Sequence, residues 1–561
     1  MVKISGKNFI TTLRDNMSFL TRAQTTILSA AAILGFTSGL SALLGFVKSR
    51  LLSASFGTST ELTIFFTADK IPNLIYSLLV VGGMSTVFIP VYTEALKNDG
   101  DKADEIASQI INAGVLLFAV LGGLAFAFAP GIIRLLAVNK FTPEEVILGA
   151  RLLRLMLGAQ IILLVSSFLT SLLHSYSCFI LASLAPVLYN LGMIVGILAF
   201  SDQFGILGPT YGTLIGAAAH LLIQIPAIRK IRYSYRPIFK FRSKYLRKVS
   251  DLLPARLLSV AAANFLATIN NSLAILISKP SSIYLKFAGQ LQFFPVNLFA
   301  VSIASAALPT LSRKAAASNK DKFKKIFITS LHQMLFLVIP CSVILLVLRI
   351  PVIRLAYGAK KFPWEATVKT SYTLAFYSIS IFAQSTVYLL TRSFYALKDT
   401  KTPVKISLVT LFLNIGLSLL FIRILNWGVW AIAFSYSITS ILDMLVMFYF
   451  LDRSLGGFSL KEVLQPFIKI SYAAILMGGA LYAPLKLLDE YVFDSTRTIQ
   501  LLFITILASL VGVGTYLLFT KLLKVEEVEL LHKLLYKLNV RGLLKQEQGV
   551  EESAEIKPVE A

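Results

Sequence analysis

ADKIPNLIYSLLVVGGMSTVFIP runs from Ala68 to Pro90, and 220 residues later AGQLQFFPVNLFAVSIASAALP runs from Ala288 to Pro309. Each stretch is apolar and long enough to cross a bilayer, whose core of about 30 Å takes roughly 20 residues of helix. Each holds one proline inside and ends on another. The correspondence continues on either side: PGIIRLL (Pro130–Leu136) matches PVIRLA (Pro351–Ala356), and LAPV at 184–187 matches KTPV at 401–404. The chain therefore contains an internal repeat. Its matched segments fall in corresponding crossings of two groups of six, and because six is even the halves share one membrane orientation. Parallel repeats of this kind form two bundles with the substrate path between them.

Outward from these segments, fourteen stretches read as crossings: 27–52, 62–93, 108–136, 147–173, 180–200, 205–228, 252–278, 282–312, 326–356, 366–392, 401–423, 427–451, 465–485 and 499–520. The composition of the 561 residues agrees, at 56% hydrophobic and 15% charged with 40 Phe, and the mean hydropathy is +0.75. The fold class expected is an all-α integral membrane protein with about 14 transmembrane helices, in two six-helix lobes (25–228 and 252–456) plus two extra C-terminal helices (457–520). No connection leaves room for an appended soluble domain. Residues 1–24 read as an interfacial helix and 521–561 as an amphipathic segment, striped by Leu522, Val525, Val528, Leu531 and Leu535, followed by an acidic tail. No removable signal peptide is visible at the start.

The net charge of +24 would suit nucleic acid, but its placement points to topology instead. Arg229–Lys248 holds nine Lys/Arg and no acid, and Arg313–Lys325 holds six against one Asp. Short basic loops stay cytoplasmic and attract anionic lipid. The 229–251 connection and both termini are therefore expected on the cytoplasmic side, with no nucleic-acid partner.

Ionisable groups at membrane depth face a partner or a wet cavity. Lys48, Arg50, Asp69 and Lys70 lie in the first two crossings, with Asn73 one turn on. Lys48 and Arg50 can also snorkel to the head groups, and Asp69 with Lys70 can be a packing ion pair; otherwise the group forms a positive vestibule for an anionic head group. Gln290 lies at the matching place in the second half, and Tyr76 and Asn73 are neutral donors nearby. Gly35-x-x-x-Gly39 and Gly212-x-x-x-Gly216 read as close helix contacts. Asn264, Asn270, Asn271, Arg256, Gln384 and Asp443 read as interhelical hydrogen-bonding points, and His220 as a packed histidine or a proton relay. Metal-ligand spacings, phosphate loops and nucleophile elbows are missing from the sequence, and Cys178 and Cys341 sit in apolar surroundings. No catalytic residue, metal or cofactor is expected, and transport would run on gradients or passively.

Gly45-Phe46, Phe65-Phe66 with Lys70–Leu74, Ser85–Pro90, Leu308–Ser312 and above all FYALKDTKTPVKI (Phe394–Ile406) resemble the MurJ/MviN family of lipid II flippases, as does Phe179–Asn190 in the first half. The resemblance implies a multidrug/oligosaccharidyl-lipid/polysaccharide exporter fold. It also implies a central cavity for the head group and a lipid-tail groove on the last two helices. Some charges typical of the family are replaced: Lys48-Ser49 stands for its Arg-Asp, Tyr76 and Ser77 for an arginine pair, Thr63 for an Asp, Val81 for a Glu, and Gly289-Gln290 for an Asp-Arg. Lys48, Arg50, Asp69, Lys70, Asn73, Tyr76 and Gln290 are then the candidate substrate-binding residues.

The function expected is export of a polyprenyl-diphosphate-linked glycan, the peptidoglycan precursor lipid II, by alternating access. Its partners would be that lipid-linked glycan, membrane lipids and other cell-wall synthesis proteins. The competing readings are a flippase for another lipid-linked polysaccharide unit, a small-molecule antiporter, and a non-transporting envelope-synthesis paralogue.

Overall fold

The computed structural model describes residues 27–83, 88–98, 100–238, 244–359, 361–491 and 497–528. Among these, eleven helices are long and apolar enough to cross a membrane. A twelfth crossing is the pair Trp364–Ser378 and Ile381–Ala396, bent by 46° at its break. The two remaining expected crossings are also helical. The first is α1 (Ile27–Phe56), and the second is divided among α2 (Thr60–Ala68), α3 (Lys70–Gly83) and α4 (Ile89–Asn98). The expected helix at residues 1–24 lies outside the described residues.

The chain divides into two units, one built from 27–56 and 64–265 and the other from 57–63 and 266 onward. In the first unit, the break at Asp69 has a simple origin. Pro72 has no N–H to return to the carbonyl of Ala68, so the helix cannot run through unchanged. Asp69 still accepts from the Asn73 N–H at 3.1 Å, which starts α3 directly. After α5 (Ala103–Ala127) and the short α6 (Ala129–Leu136) comes α7 (Pro143–Ser175). Its start is fixed by a capping box: Thr142 Oγ1 accepts from the Glu145 N–H, and Glu145 Oε2 from the Thr142 N–H at 2.8 Å. α8 (Ile180–Phe204) and α9 (Leu207–Leu222) pack through glycines. A Cβ on Gly212 would lie 2.8 Å from the Gly192 carbonyl oxygen, so only glycine admits this approach. The 212/216 pair is thus a close contact, as its spacing predicts. At Gly35 and Gly39 an added Cβ meets nothing within 4 Å, so that pair is not a close contact among the described residues.

The second unit begins within α11 (Lys244–Ile277). α12 (Ser281–Pro295) passes into a π turn at Val296–Val301 before α13 (Ser302–Ala316). Both halves of the repeat therefore carry an irregular helix at the matched segment, each beside its internal proline. The expected crossings 108–136 and 326–356 are each shorter than their apolar runs. Each is a long helix, α5 or α14 (Lys320–Val347), followed by a short one, α6 or α15 (Arg349–Tyr357). The junction residues adopt nearly the same conformation, φ −92° and ψ 14° at Phe128 and φ −89° and ψ 19° at Leu348. Pro130 and Pro351, in the first turns of the short helices, cannot continue the preceding hydrogen-bond ladder.

α16 (Trp364–Ser378), α17 (Ile381–Ala396), α18 (Lys401–Arg423) and α19 (Trp430–Leu455) complete the second half. α20 (Leu460–Tyr491) and α21 (Thr498–Leu522) follow. These last two helices fall outside the repeat in sequence but not outside the core in space. Ile470, Ala473, Met477, Leu481 and Ala508 are buried in one cluster with Met334, Leu335 and Val338 of α14, and the Tyr516 hydroxyl donates to the Phe336 carbonyl at 2.7 Å. The expected amphipathic helix from 521 is interrupted. α21 stops at Leu522, Lys524 takes φ +52°, and Val525 is buried in that cluster rather than lying on a stripe.

Candidate functional site

α1 brings Lys48 to α8. Gly45, one turn earlier, leaves room there: a Cβ on it would meet Asn190 Oδ1 at 3.9 Å. Asn190 is buried, and its Nδ2 donates to the Ser41 carbonyl and hydroxyl at 3.1 Å each and to the Pro186 carbonyl at 3.2 Å. With the amide nitrogen facing three acceptors, Oδ1 is left to point at Lys48, whose Nζ donates to it at 3.1 Å. The same ammonium lies 5.9 Å from the centre of the Tyr189 ring. Tyr189 and Tyr76 both pack against the small buried cluster of Ala159, Leu163 and Ala217. On α3, Tyr76 hydrogen bonds Ser167 of α7 through its hydroxyl at 2.7 Å, and Asn73 Oδ1 accepts from Gln160 Nε2 at 3.1 Å.

Lys48, Asn73 and Tyr76 are thus tied to neighbouring helices of the first unit, Lys48 to α8 and Asn73 and Tyr76 to α7, while Asp69 is half-buried at the break between α2 and α3. Arg50 and Lys70 are half-buried on the same helices and engaged with other groups of the protein. Gln290 belongs to the second unit, on α12, also half-buried and engaged. Sequence reading missed Tyr189, Asn190, Gln160 and Ser167. The signal for the first two was present, because both lie in the segment 179–190 that mirrors the 394–406 signature. Gln160 and Ser167 are isolated polar residues in an otherwise plain crossing.

Other polar residues are tied up within their own unit. His220 is buried, its Nδ1 2.6 Å from Ser166 Oγ, and Gln224 Nε2 donates to that oxygen at 2.8 Å. In the second unit, Gln292 donates to Gln384 at 2.6 Å, Gln384 to the Ser380 hydroxyl at 2.8 Å, and Ser437 to the same hydroxyl at 2.8 Å. This chain spans the bend between α16 and α17. Asn264 donates to the Val260 carbonyl of its own helix at 2.9 Å. The signature at 394–406 is a helix start. Asp399 Oδ1 accepts from the N–H groups of Lys401 at 3.1 Å and Thr402 at 3.0 Å, opening α18. Partial burial pulls the Asp399 carboxyl up, but bonds from Thr402 and Lys401 and the charge of Lys405 outweigh it and hold the group below its ordinary value.

The family model of the lipid II flippase MurJ matches residues 52–502. A probable lipid II flippase MurJ of Buchnera aphidicola subsp. Acyrthosiphon pisum is 30% identical over 73% of this chain and 80% of that protein. The chain belongs to the MurJ lipid II flippase family. Another MurJ relative, the probable flippase of Thermotoga maritima, is 28% identical over 86% of this chain and 94% of its own length. Among solved structures, a lipid II flippase MurJ in an inward closed conformation superposes with a TM-score of 0.73 at 26% identity, covering 88% of this chain and 98% of that one. An inward-facing multidrug transporter of the MATE family superposes at 0.61 with 16% identity, which shows that the MurJ chain shares its fold.

Proposed function

We propose that this protein moves lipid II, a polyprenyl-diphosphate-linked glycan, from the inner to the outer leaflet of a bacterial cytoplasmic membrane by alternating access. The observation that carries this reading is the match to lipid II flippases over residues 52–502 and over 73% of the chain. The residues give it a chemical basis. Lys48, held by Asn190 and set over Tyr189, offers a cation in the membrane to a diphosphate that must exchange its water for charged donors. In the first unit Tyr76 and Asn73 supply neutral donors, and Arg50 and Lys70 further positive charge; Gln290 is a neutral donor of the second unit. The two termini and the 229–251 connection lie in the cytoplasm. A membrane potential that is negative inside favours outward movement of each negative charge by about 2.3 kcal/mol per 100 mV. Helices α20 and α21 guide the lipid tail while the lobes rearrange, and other cell-wall synthesis proteins supply or take up the substrate.

Reconstitution in proteoliposomes with labelled lipid-linked precursors tests this reading. Lipid II should become accessible to an impermeant probe on the far side, and protein-dependent failure to move it would overturn the proposal. The replacement of family charges by Lys48-Ser49 and Gly289-Gln290 favours one second reading, a flippase for a different lipid-linked glycan. A precursor with another head group that moves while lipid II does not would establish that reading.

A further inference from the structure

Two arginines each bond a backbone carbonyl near the junction between a long span and a short helix. Pro130 has no N–H to offer the Phe126 carbonyl, and Arg154 of α7 fills that vacancy, its Nε donating to Phe126 O at 3.1 Å. Its guanidinium carbon sits 4.9 Å from the Phe126 ring centre. In the second unit the Leu346 carbonyl, three residues back along the chain, accepts from Arg349 Nη1 at 2.9 Å, and that guanidinium lies 6.0 Å from the Tyr372 ring centre. Phe128 and Leu348, the junction residues two positions later, share their backbone conformation. The guanidinium is supplied from a different sequence position in each half, so the arrangement is not a simple copy of one residue.

Arg154 and Arg349 are half-buried beside exposed apolar side chains. Phe126, Phe128, Leu124 and Ile147 are all more than half exposed, and Arg151, one turn before Arg154, is exposed as well. Each bonded guanidinium uses one N–H group on a carbonyl and turns others away from the protein. No carboxylate pairs with Arg151, Arg154 or Arg349 among the described residues. An arginine near the end of a span reaches its guanidinium to head-group level, where an anionic head group is the counter-charge within reach. A phosphodiester beside the aromatic ring provides one, since guanidinium matches phosphate oxygens in pairs.

We propose that Arg151 with Arg154, and Arg349 by itself, are head-group sites for anionic glycerophospholipids. They lie on the membrane face opposite the basic 229–251 connection, since three crossings separate that connection from the 128–142 loop. The sites are distinct from the polar region around Tyr189 and from the cytoplasmic basic loops. Bound lipid there would fix the junctions between long and short helices in both halves.

The test is photo-crosslinking of the full-length protein in nanodiscs, with phosphatidylglycerol bearing a photoreactive group near its head and peptides mapped by mass spectrometry. Wild type should be labelled in peptides around 124–154 and 346–372, and a matched phosphatidylcholine probe should label them less. Arg151→Gln should reduce labelling of the first region about fivefold, as should Arg349→Gln in the second. Labelling around 229–248 should not change, which serves as the internal control. Arg154→Gln also removes the bond to Phe126, so Arg151→Gln, whose side chain bonds nothing in the described protein, keeps the test independent of folding. Unchanged labelling in both Arg151→Gln and Arg349→Gln, or equal labelling by the two lipids, would overturn the proposal.

Discussion

Lys48 donates its ammonium to the side-chain carbonyl of Asn190, 142 residues away, at 3.1 Å. Asn190 is itself held by Ser41 and Pro186, so the position of the cation is set by α8 rather than by its own helix. A hydrogen bond to a charged group contributes about 1.5–3 kcal/mol, which is tenfold or more in a rate or affinity that depends on it. Lys48→Gln should therefore lower flipping in proteoliposomes at least tenfold while leaving the protein inserted, and Lys48→Arg should retain most of it. Asn190→Ala removes the anchor and three bonds to α1 and Pro186. It should lower both flipping and the midpoint of thermal unfolding in detergent. Normal flipping by Lys48→Gln would assign the cation a structural role.

The sidedness of the chain is open to direct measurement. Arg232 is exposed in the basic connection and Lys361 is exposed before α16. In a background with Cys178 and Cys341 replaced, Lys361→Cys should react with an impermeant thiol reagent on intact cells, and Arg232→Cys only after permeabilisation. The opposite pattern would invert the topology.

Glycine is required at one pair and not at the other. Gly212→Ala drives a methyl against backbone of α8, which cannot withdraw as a side-chain end can, and should destabilise the first unit by about 1–3 kcal/mol. Gly35→Ala faces open space and should leave the unfolding midpoint within error. Comparison of the two variants by thermal unfolding decides the matter.

Asp399 should show a pH-dependent contribution to stability. Its carboxyl is held below the ordinary value in the folded protein, so the stabilisation is complete above the unfolded value of about 3.9 and is lost as pH falls through the folded one. Asp399→Asn keeps an acceptor oxygen for the two N–H groups but loses the charge, so it should be slightly less stable than wild type near neutral pH. The gap should close in acid. A gap that widens as pH falls would contradict the assignment.

The membrane class, the crossings and the repeat were legible because they rest on composition and spacing along the chain, which need no knowledge of neighbours. The apolar run at 108–136 was read as one crossing because hydropathy does not register a change of direction. Pro130 was visible in it, yet the break at Phe128 depends on where the freed carbonyl finds a new donor. Gly35 and Gly212 have the same spacing to their partners, and only the second meets another helix. The Leu522–Val528 stripe read as interfacial because it is amphipathic, but the turn at Lys524 folds Val525 into the core.

The same division runs through the candidate site. The sequence by itself determined a multi-pass helical protein with cations in its first two crossings, because charge in an apolar run is costly wherever the run ends up. Which groups those charges meet was decided only by the tertiary structure. Asn190, Gln160 and Ser167 come to Lys48, Asn73 and Tyr76 from helices roughly 90 to 140 residues away. A hydrogen bond requires two groups within about 3 Å, and that proximity is a property of helix packing that no local pattern along the chain encodes.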